Sequence, residues 1–99
     1  MTSKRVKSEA SKTSPEVTTW IVYIMQCADG TFYTGITNDL ERRLKQHNAG
    51  TASRYTRYRL PVTLIYQAVQ PTKSAALKRE LEIKKLSRKA KQRLINEGA

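Results

Sequence analysis

A carboxylate on the apolar side of a helix must be paired, protonated or bound to a cation, because an unpartnered buried charge is costly. Residues 74–86 carry helical spacing, with Ala76, Leu77, Leu81 and Ile83 marking the apolar side. Glu80 falls in the middle of that side and Glu82 falls away from it. Two partners for Glu80 are open from the residues alone. One is a cation of the chain, Arg43 or Lys84. The other is a hard divalent metal, which takes oxygen ligands.

A second helix presents the complementary charge. Its apolar stripe is Leu40 and Leu44; Arg43 and His47, four residues apart, lie at or beside that stripe, while Arg42 points the opposite way. Arg43 is therefore held where surface meets core and needs an anion, for which a carboxylate of the chain is the plain structural choice. His47 taken alone reads as a half-buried histidine with its hydrogen bonds satisfied.

Two tyrosines sit on a predicted hairpin. Side chains alternate between the faces of a strand, so register decides whether Tyr23 and Tyr33 meet. A two-residue Asp29-Gly30 loop would pair Gln26 with Tyr33 and place the tyrosines on opposite faces. A three-residue loop, Asp29 to Thr31, would pair Cys27 with Tyr33 and place them on one face. Packing into a sheet core is the ordinary role for both. Arg54-Tyr55-Thr56-Arg57-Tyr58-Arg59 interleaves cations with aromatics, a pattern suited to nucleic-acid backbone and bases or simply to a solvated basic loop.

These side chains need a scaffold. Residues 20–25, Trp-Ile-Val-Tyr-Ile-Met, are continuously apolar and predict a central strand covered on both faces. Residues 31–36 predict the return strand. Asn38, with Glu41 three residues on, predicts a helix start; that helix runs to about Asn48, and Gly50 stops it. A polar connector spans residues 51–59, a third strand residues 62–69, a second helix residues 74–86, and Ser87 opens a third ending near Ile95. The order β-β-α-β-α-α is an α+β domain, a small three-stranded antiparallel sheet flanked by helices. Residues 1–17 are rich in Ser, Thr and Lys and predict a disordered basic tail, leaving residues 18–96 as the folded domain.

Lys and Arg number 19 against 8 acids among 99 residues, a formal charge of +11 that makes polyanions the first partner class to consider. Lys84, Lys85, Arg88, Lys89, Lys91 and Arg93 form a basic C-terminal face suited to phosphates. Cys27 is the single cysteine, which excludes an internal disulfide and a zinc cluster built on paired cysteines. No apolar run reaches membrane-span length and no apolar segment marks a secretory signal. The expectation is a cytoplasmic protein with no membrane contact.

Taken in order, these motifs resemble the GIY-YIG nuclease superfamily. They are Ile21-Val22-Tyr23, the hairpin, Tyr33-Thr34-Gly35, and the run from Asp39 to His47 that holds Arg43. The stretch from Trp20 to Ile95 is similar to its small, stand-alone, single-domain bacterial branch, whose patterns Cys27-Ala28-Asp29-Gly30, Tyr55-Thr56-Arg57 and Ile83-Lys84-Lys85-Leu86-Ser87 match. Ile21 stands where the family has glycine, and Val22 and Thr34 stand where it has isoleucine; all three are strand residues. The resemblance implies five catalytic positions: Tyr23, Tyr33, Arg43, His47 and Glu80, with Glu80 the ligand of Mg²⁺ or Mn²⁺. It implies an endonuclease hydrolysing DNA phosphodiesters with low sequence specificity, directed by structure or damage, with RNA as a second substrate class and a protein partner for targeting. Tyr23 is taken as the base and Tyr33 as a positioning donor. Nucleic acid is expected on Arg42, Lys45, Arg54, Tyr55, Arg57, Arg59, Lys84 and Lys85. The alternative is a module that kept the fold and binds without cutting.

Overall fold

Strand β1 (Trp20–Gln26) is apolar on both faces because both faces are covered. It lies in the middle of a three-stranded antiparallel sheet, flanked by β2 (Phe32–Thr37) and β3 (Thr63–Gln70) in the order β2-β1-β3. The computed structural model describes residues 19–98; the tail expected over residues 1–17 lies outside them. Helix α1 (Leu40–Asn48) follows the hairpin, then the one-turn helix α2 (Arg54–Arg57), β3, α3 (Lys73–Lys84) and α4 (Arg88–Gly98). The α+β class and the antiparallel sheet are as expected. The order differs by one element, since α2 stands within the connector read as a polar loop. Its cap explains it: the Ser53 hydroxyl accepts from the Tyr55 and Thr56 amides.

Alternation along β1 builds two cores. Val22 and Ile24 face a cluster with Tyr66, Ala76, Ile83 and Ile95, contributed by β3, α3 and α4. Tyr23, Met25 and Cys27 face a cluster with Val62, Tyr33, Leu40, Leu44 and Leu64, beneath α1.

Three local expectations are corrected. The cap of α1 is Asp39, not Asn38; its carboxylate accepts from the Arg42 amide. The Thr37 hydroxyl accepts from the Asp39 amide and fixes that residue at the cap, so Glu41 falls one place short of a capping box. The hairpin closes earlier than either proposed loop: Met25 pairs with Tyr33 and Tyr23 with Gly35. The Cys27 amide donates to the Thr31 carbonyl at 2.8 Å, leaving residues 28–30 as the turn. Two residues of offset preserve side-chain parity, so Tyr23 and Tyr33 share a face. On α3, Leu77 and Leu81 are 43% and 58% exposed, while Ala76 and Ile83 are fully buried. The inward stripe is therefore Ala76-Glu80-Ile83, at spacings of four and three. Two exposed leucines are ordinary on a protein surface.

Candidate active site

Tyr23 starts from the central strand and ends against two helices. Its Cα partner across the ladder is Gly35, and a Cβ built there would stand 2.5 Å from the Tyr23 hydroxyl oxygen and 2.7 Å from Cζ. Glycine is required at this position because the phenol lies flat across it. The ring is 2% exposed. Its Oη lies 2.9 Å from Nε2 of His47, the buried residue of α1. On the far side of the imidazole, Nδ1 lies 2.9 Å from Oγ1 of Thr56, a fully buried residue of α2. Both nitrogens of His47 are thus engaged. The histidine is satisfied, as the plain reading expected, but buried rather than half-buried, and its partner is the motif tyrosine.

Tyr33 is half-buried and packs edge-on against His47 with ring centroids 5.1 Å apart; the Tyr23 and Tyr33 rings are 6.5 Å apart. Arg43 is half-buried on α1, and no ion pair engages it among the described residues. Its charge reaches both Tyr23 and His47. Burial above all pushes the Tyr23 phenol above the ordinary tyrosine range; Tyr33 adds to the rise, Arg43 opposes it, and the Glu80 carboxylate adds a smaller push. Burial holds His47 below its ordinary range, and the Arg43 cation lowers it further. The imidazole is therefore neutral near pH 7, and the tyrosine is a phenol. At Tyr23 burial outweighs the Arg43 cation, which therefore does not bring this tyrosine toward ionisation.

Glu80 sits on the inward stripe of α3 with its side chain 16% exposed. Its Oε2 accepts an ion pair from Lys84 Nζ at 3.2 Å, and Lys84 is 50% exposed. Of the two chain partners left open, the structure selects Lys84. An exposed lysine is a loose partner, and it leaves the carboxylate able to bind a cation. No group of three or more potential ligands occurs among the described residues. One carboxylate with an open side suits a hard ion that keeps most of its water, as Mg²⁺ does. Of the five expected catalytic residues, Tyr23, Tyr33 and His47 are joined by a hydrogen bond and ring contacts, Arg43 shares α1 with His47, and Glu80 stands apart on α3, its charge felt at Tyr23.

The expected nucleic-acid residues divide. Arg42 and Lys45 are exposed on α1, and Lys85 is exposed at the end of α3. Arg54 and Arg57 line an open depression of about 440 Å³ with residues 50–53. Tyr55 stacks on Tyr33 at 6.2 Å and 24° between planes. Arg59 is committed elsewhere: its guanidinium lies 3.8 Å over the Tyr55 ring, and it donates to Asp29 at 3.1 Å and to the Tyr55 carbonyl at 2.7 Å. It holds Tyr55 in place rather than offering a free cation. Phe32, Tyr33, Thr34, Tyr55, Lys84 and Lys91 line a groove of about 270 Å³. Phe32 and Thr56 were not anticipated as site residues. Ser53 three residues before Thr56 was the available signal for the latter, as a cap that turns Thr56 inward.

Residues 19–94 match the family described as the GIY-YIG catalytic domain. The chain belongs to this family. This GIY-YIG chain is 52% identical over 77 residues to a UPF0213 protein of Staphylococcus saprophyticus, covering 78% of this chain and 94% of that one. It is also 52% identical over 77 residues to a UPF0213 protein of Haloquadratum walsbyi, covering 78% and 86%. Among solved structures it resembles a UPF0213 protein of Bacillus halodurans determined in solution, with a TM-score of 0.53 and 42% identity over 79% of this chain and 83% of that one. The small size of these relatives fits the stand-alone branch to which the motifs pointed. No helix among the described residues is long and apolar enough to cross a membrane.

Proposed function

We propose that this GIY-YIG chain is a divalent-metal-dependent endonuclease that hydrolyses DNA phosphodiesters with low sequence specificity, on targets marked by structure or damage. The observation that carries the reading is the buried Tyr23–His47 hydrogen bond within reach of the Arg43 and Glu80 charges. A core needs no neutral imidazole bonded to a buried phenol; proton transfer at a phosphate uses such a pair.

In the proposed reaction a water attacks phosphorus as it gives its proton to the Tyr23 oxygen, while Tyr23 passes its own proton to His47 Nε2. Tyr23 stays a phenol throughout, as its burial favours, and the proton ends on His47. Arg43 donates to the non-bridging oxygens, where its planar fork fits phosphate. Tyr33, wedged between His47 and Tyr55, orients the water or the phosphate. Glu80 would hold Mg²⁺ or Mn²⁺, which when bound supplies Lewis-acid charge for the leaving 3′-oxygen. The groove from Tyr33 and Tyr55 to Lys84 and Lys91 gives the strand a path of aromatic faces and cations. Exposed Arg42, Lys45, Arg54, Arg57 and Lys85 add backbone contacts without base readout. The setting we propose is the cytoplasm, with a protein partner supplying the target and RNA as a second substrate class.

The Lys84–Glu80 pair favours one competing reading, a binding module in which Glu80 is a structural ion-pair partner. Cleavage of labelled duplex, single-stranded and branched DNA with Mg²⁺, Mn²⁺ or EDTA separates the two. Metal-dependent cutting lost in Glu80→Ala supports the nuclease. Salt-sensitive binding without cutting, unchanged in Glu80→Ala, supports the module.

A further inference from the structure

We propose that Thr56 is a positioning residue for this reaction: its hydroxyl fixes His47 as the Nδ1–H tautomer, so that Nε2 faces Tyr23 as a bare acceptor. The inference rests on the reading that His47 takes the Tyr23 proton.

The argument is a count of protons. Thr56 Oγ1 lies 2.9 Å from His47 Nδ1 and 3.4 Å from the carbonyl oxygen of Ser53. A carbonyl only accepts, so when the single hydroxyl proton of Thr56 is directed to Ser53 it is not available to Nδ1. The Thr56 oxygen then presents a lone pair to Nδ1, which must carry a hydrogen to bond with it. A neutral imidazole with Nδ1 protonated has a bare Nε2, and the Tyr23 hydroxyl donates to it at 2.9 Å. Protons run in one direction, from Tyr23 to His47, from His47 to Thr56, and from Thr56 to Ser53. Each finds one acceptor.

The reverse arrangement fails at Tyr23. With Thr56 donating to Nδ1, Nε2 would carry the hydrogen and donate to the Tyr23 oxygen. The Tyr23 proton would then have no acceptor among the described side chains and could only turn toward the attacking water, against the direction in which that water gives up its own proton. That tautomer also has no lone pair with which to receive a proton from Tyr23. One buried hydroxyl therefore decides which way the histidine works. Its placement is built into α2: the Ser53 hydroxyl caps the Tyr55 and Thr56 amides, and the Ser53 carbonyl accepts from the Arg57 amide at 3.0 Å. The groups facing the imidazole are Tyr23 of β1, Tyr33 of β2, Arg43 of its own helix and Thr56 of α2. Among the described residues none of these is a carboxylate that could select the tautomer instead.

His47 is the single histidine of the chain, so a long-range ¹H–¹⁵N imidazole spectrum of the full chain reports this ring alone. It is recorded for wild type, Thr56→Val and Thr56→Ser above the His47 titration, beside single-turnover cleavage with Mn²⁺. The expected result is a protonated Nδ1 and bare Nε2 in wild type and in Thr56→Ser. Thr56→Val should gain the Nε2–H form and lose about 10²-fold or more in rate, with Thr56→Ser restoring most of it. A wild-type ring protonated at Nε2 overturns the proposal without any variant. So does a Thr56→Val ring with the wild-type tautomer. A wild-type chain that cuts no DNA yet shows the expected ring sinks the nuclease reading, and with it the catalytic role of Thr56, while leaving its hold on His47 demonstrated.

Discussion

The two faces of β1 differ in what they bury. Toward α3 and α4 the strand presents Val22 and Ile24, packed against Tyr66, Ala76, Ile83 and Ile95. Toward α1 and α2 it presents Tyr23 and Met25, and beneath those helices lie the buried imidazole of His47 and the buried hydroxyl of Thr56. Volume and burial hold the first face together, and a side chain of similar shape can replace another there. The second face depends on direction as well: each donor must meet one acceptor, and a change of one atom leaves a buried polar group unpaired. One strand serves both purposes because its side chains alternate. The apolar face fixes the strand from which Tyr23 projects.

The largest loss of stability is expected on the apolar face. Ile24→Ala removes a fully buried side chain from the central strand and should cost about 2–5 kcal/mol, read as a lower urea midpoint. Cleavage per folded molecule should hold. A variant that stayed as stable as wild type would break the distinction between the faces.

Gly35→Ala should act on the other face. Its Cβ would meet a phenol that is buried and hydrogen-bonded and cannot swing aside. Tyr23 should be displaced from His47, with single-turnover cleavage falling about 10²-fold and stability falling by about 1–3 kcal/mol from overpacking. Unchanged cleavage would show that the Tyr23–His47 bond is dispensable.

A smaller effect is expected from pH. His47 is held below its ordinary value of about 6.5 by burial and by Arg43. The unfolded chain therefore takes up its proton first as pH falls. The stability contributed by the neutral ring is complete above about pH 6.5 and is lost as pH falls through the lowered folded value. Cleavage that needs a bare Nε2 should hold its plateau to a lower pH than a free histidine would allow, then fall. Urea midpoints and rates measured across this range check both signs, and a rate that rises on acidification would contradict the role given to His47.

How far the sequence carried this picture depends on the range of each signal. The apolar run of β1 announced a central strand, and helical spacing alone turned Glu80 inward, because both signals repeat within a few residues. The same spacing misjudged Leu77 and Leu81, since it finds apolar side chains without saying which of them the sheet covers. Hairpin parity followed only once the Cys27–Thr31 bond closed the turn, which depends on backbone geometry that Asp29-Gly30 alone does not dictate. The Tyr23–His47 bond joins residues 24 apart, a distance over which no local pattern speaks; the family motif named both partners without their contact. Thr56 went unread because a one-turn helix is too short to show a period.

The most direct test is Tyr23→Phe against Tyr33→Phe in single-turnover cleavage with Mn²⁺, each beside its urea midpoint. Tyr23→Phe should lose about 10²-fold or more in rate, with stability lowered by only about 1–3 kcal/mol for the unpaired His47 Nε2, and Tyr33→Phe should lose less. Full activity in Tyr23→Phe with activity lost in Tyr33→Phe would exchange the two roles and contradict the path through His47.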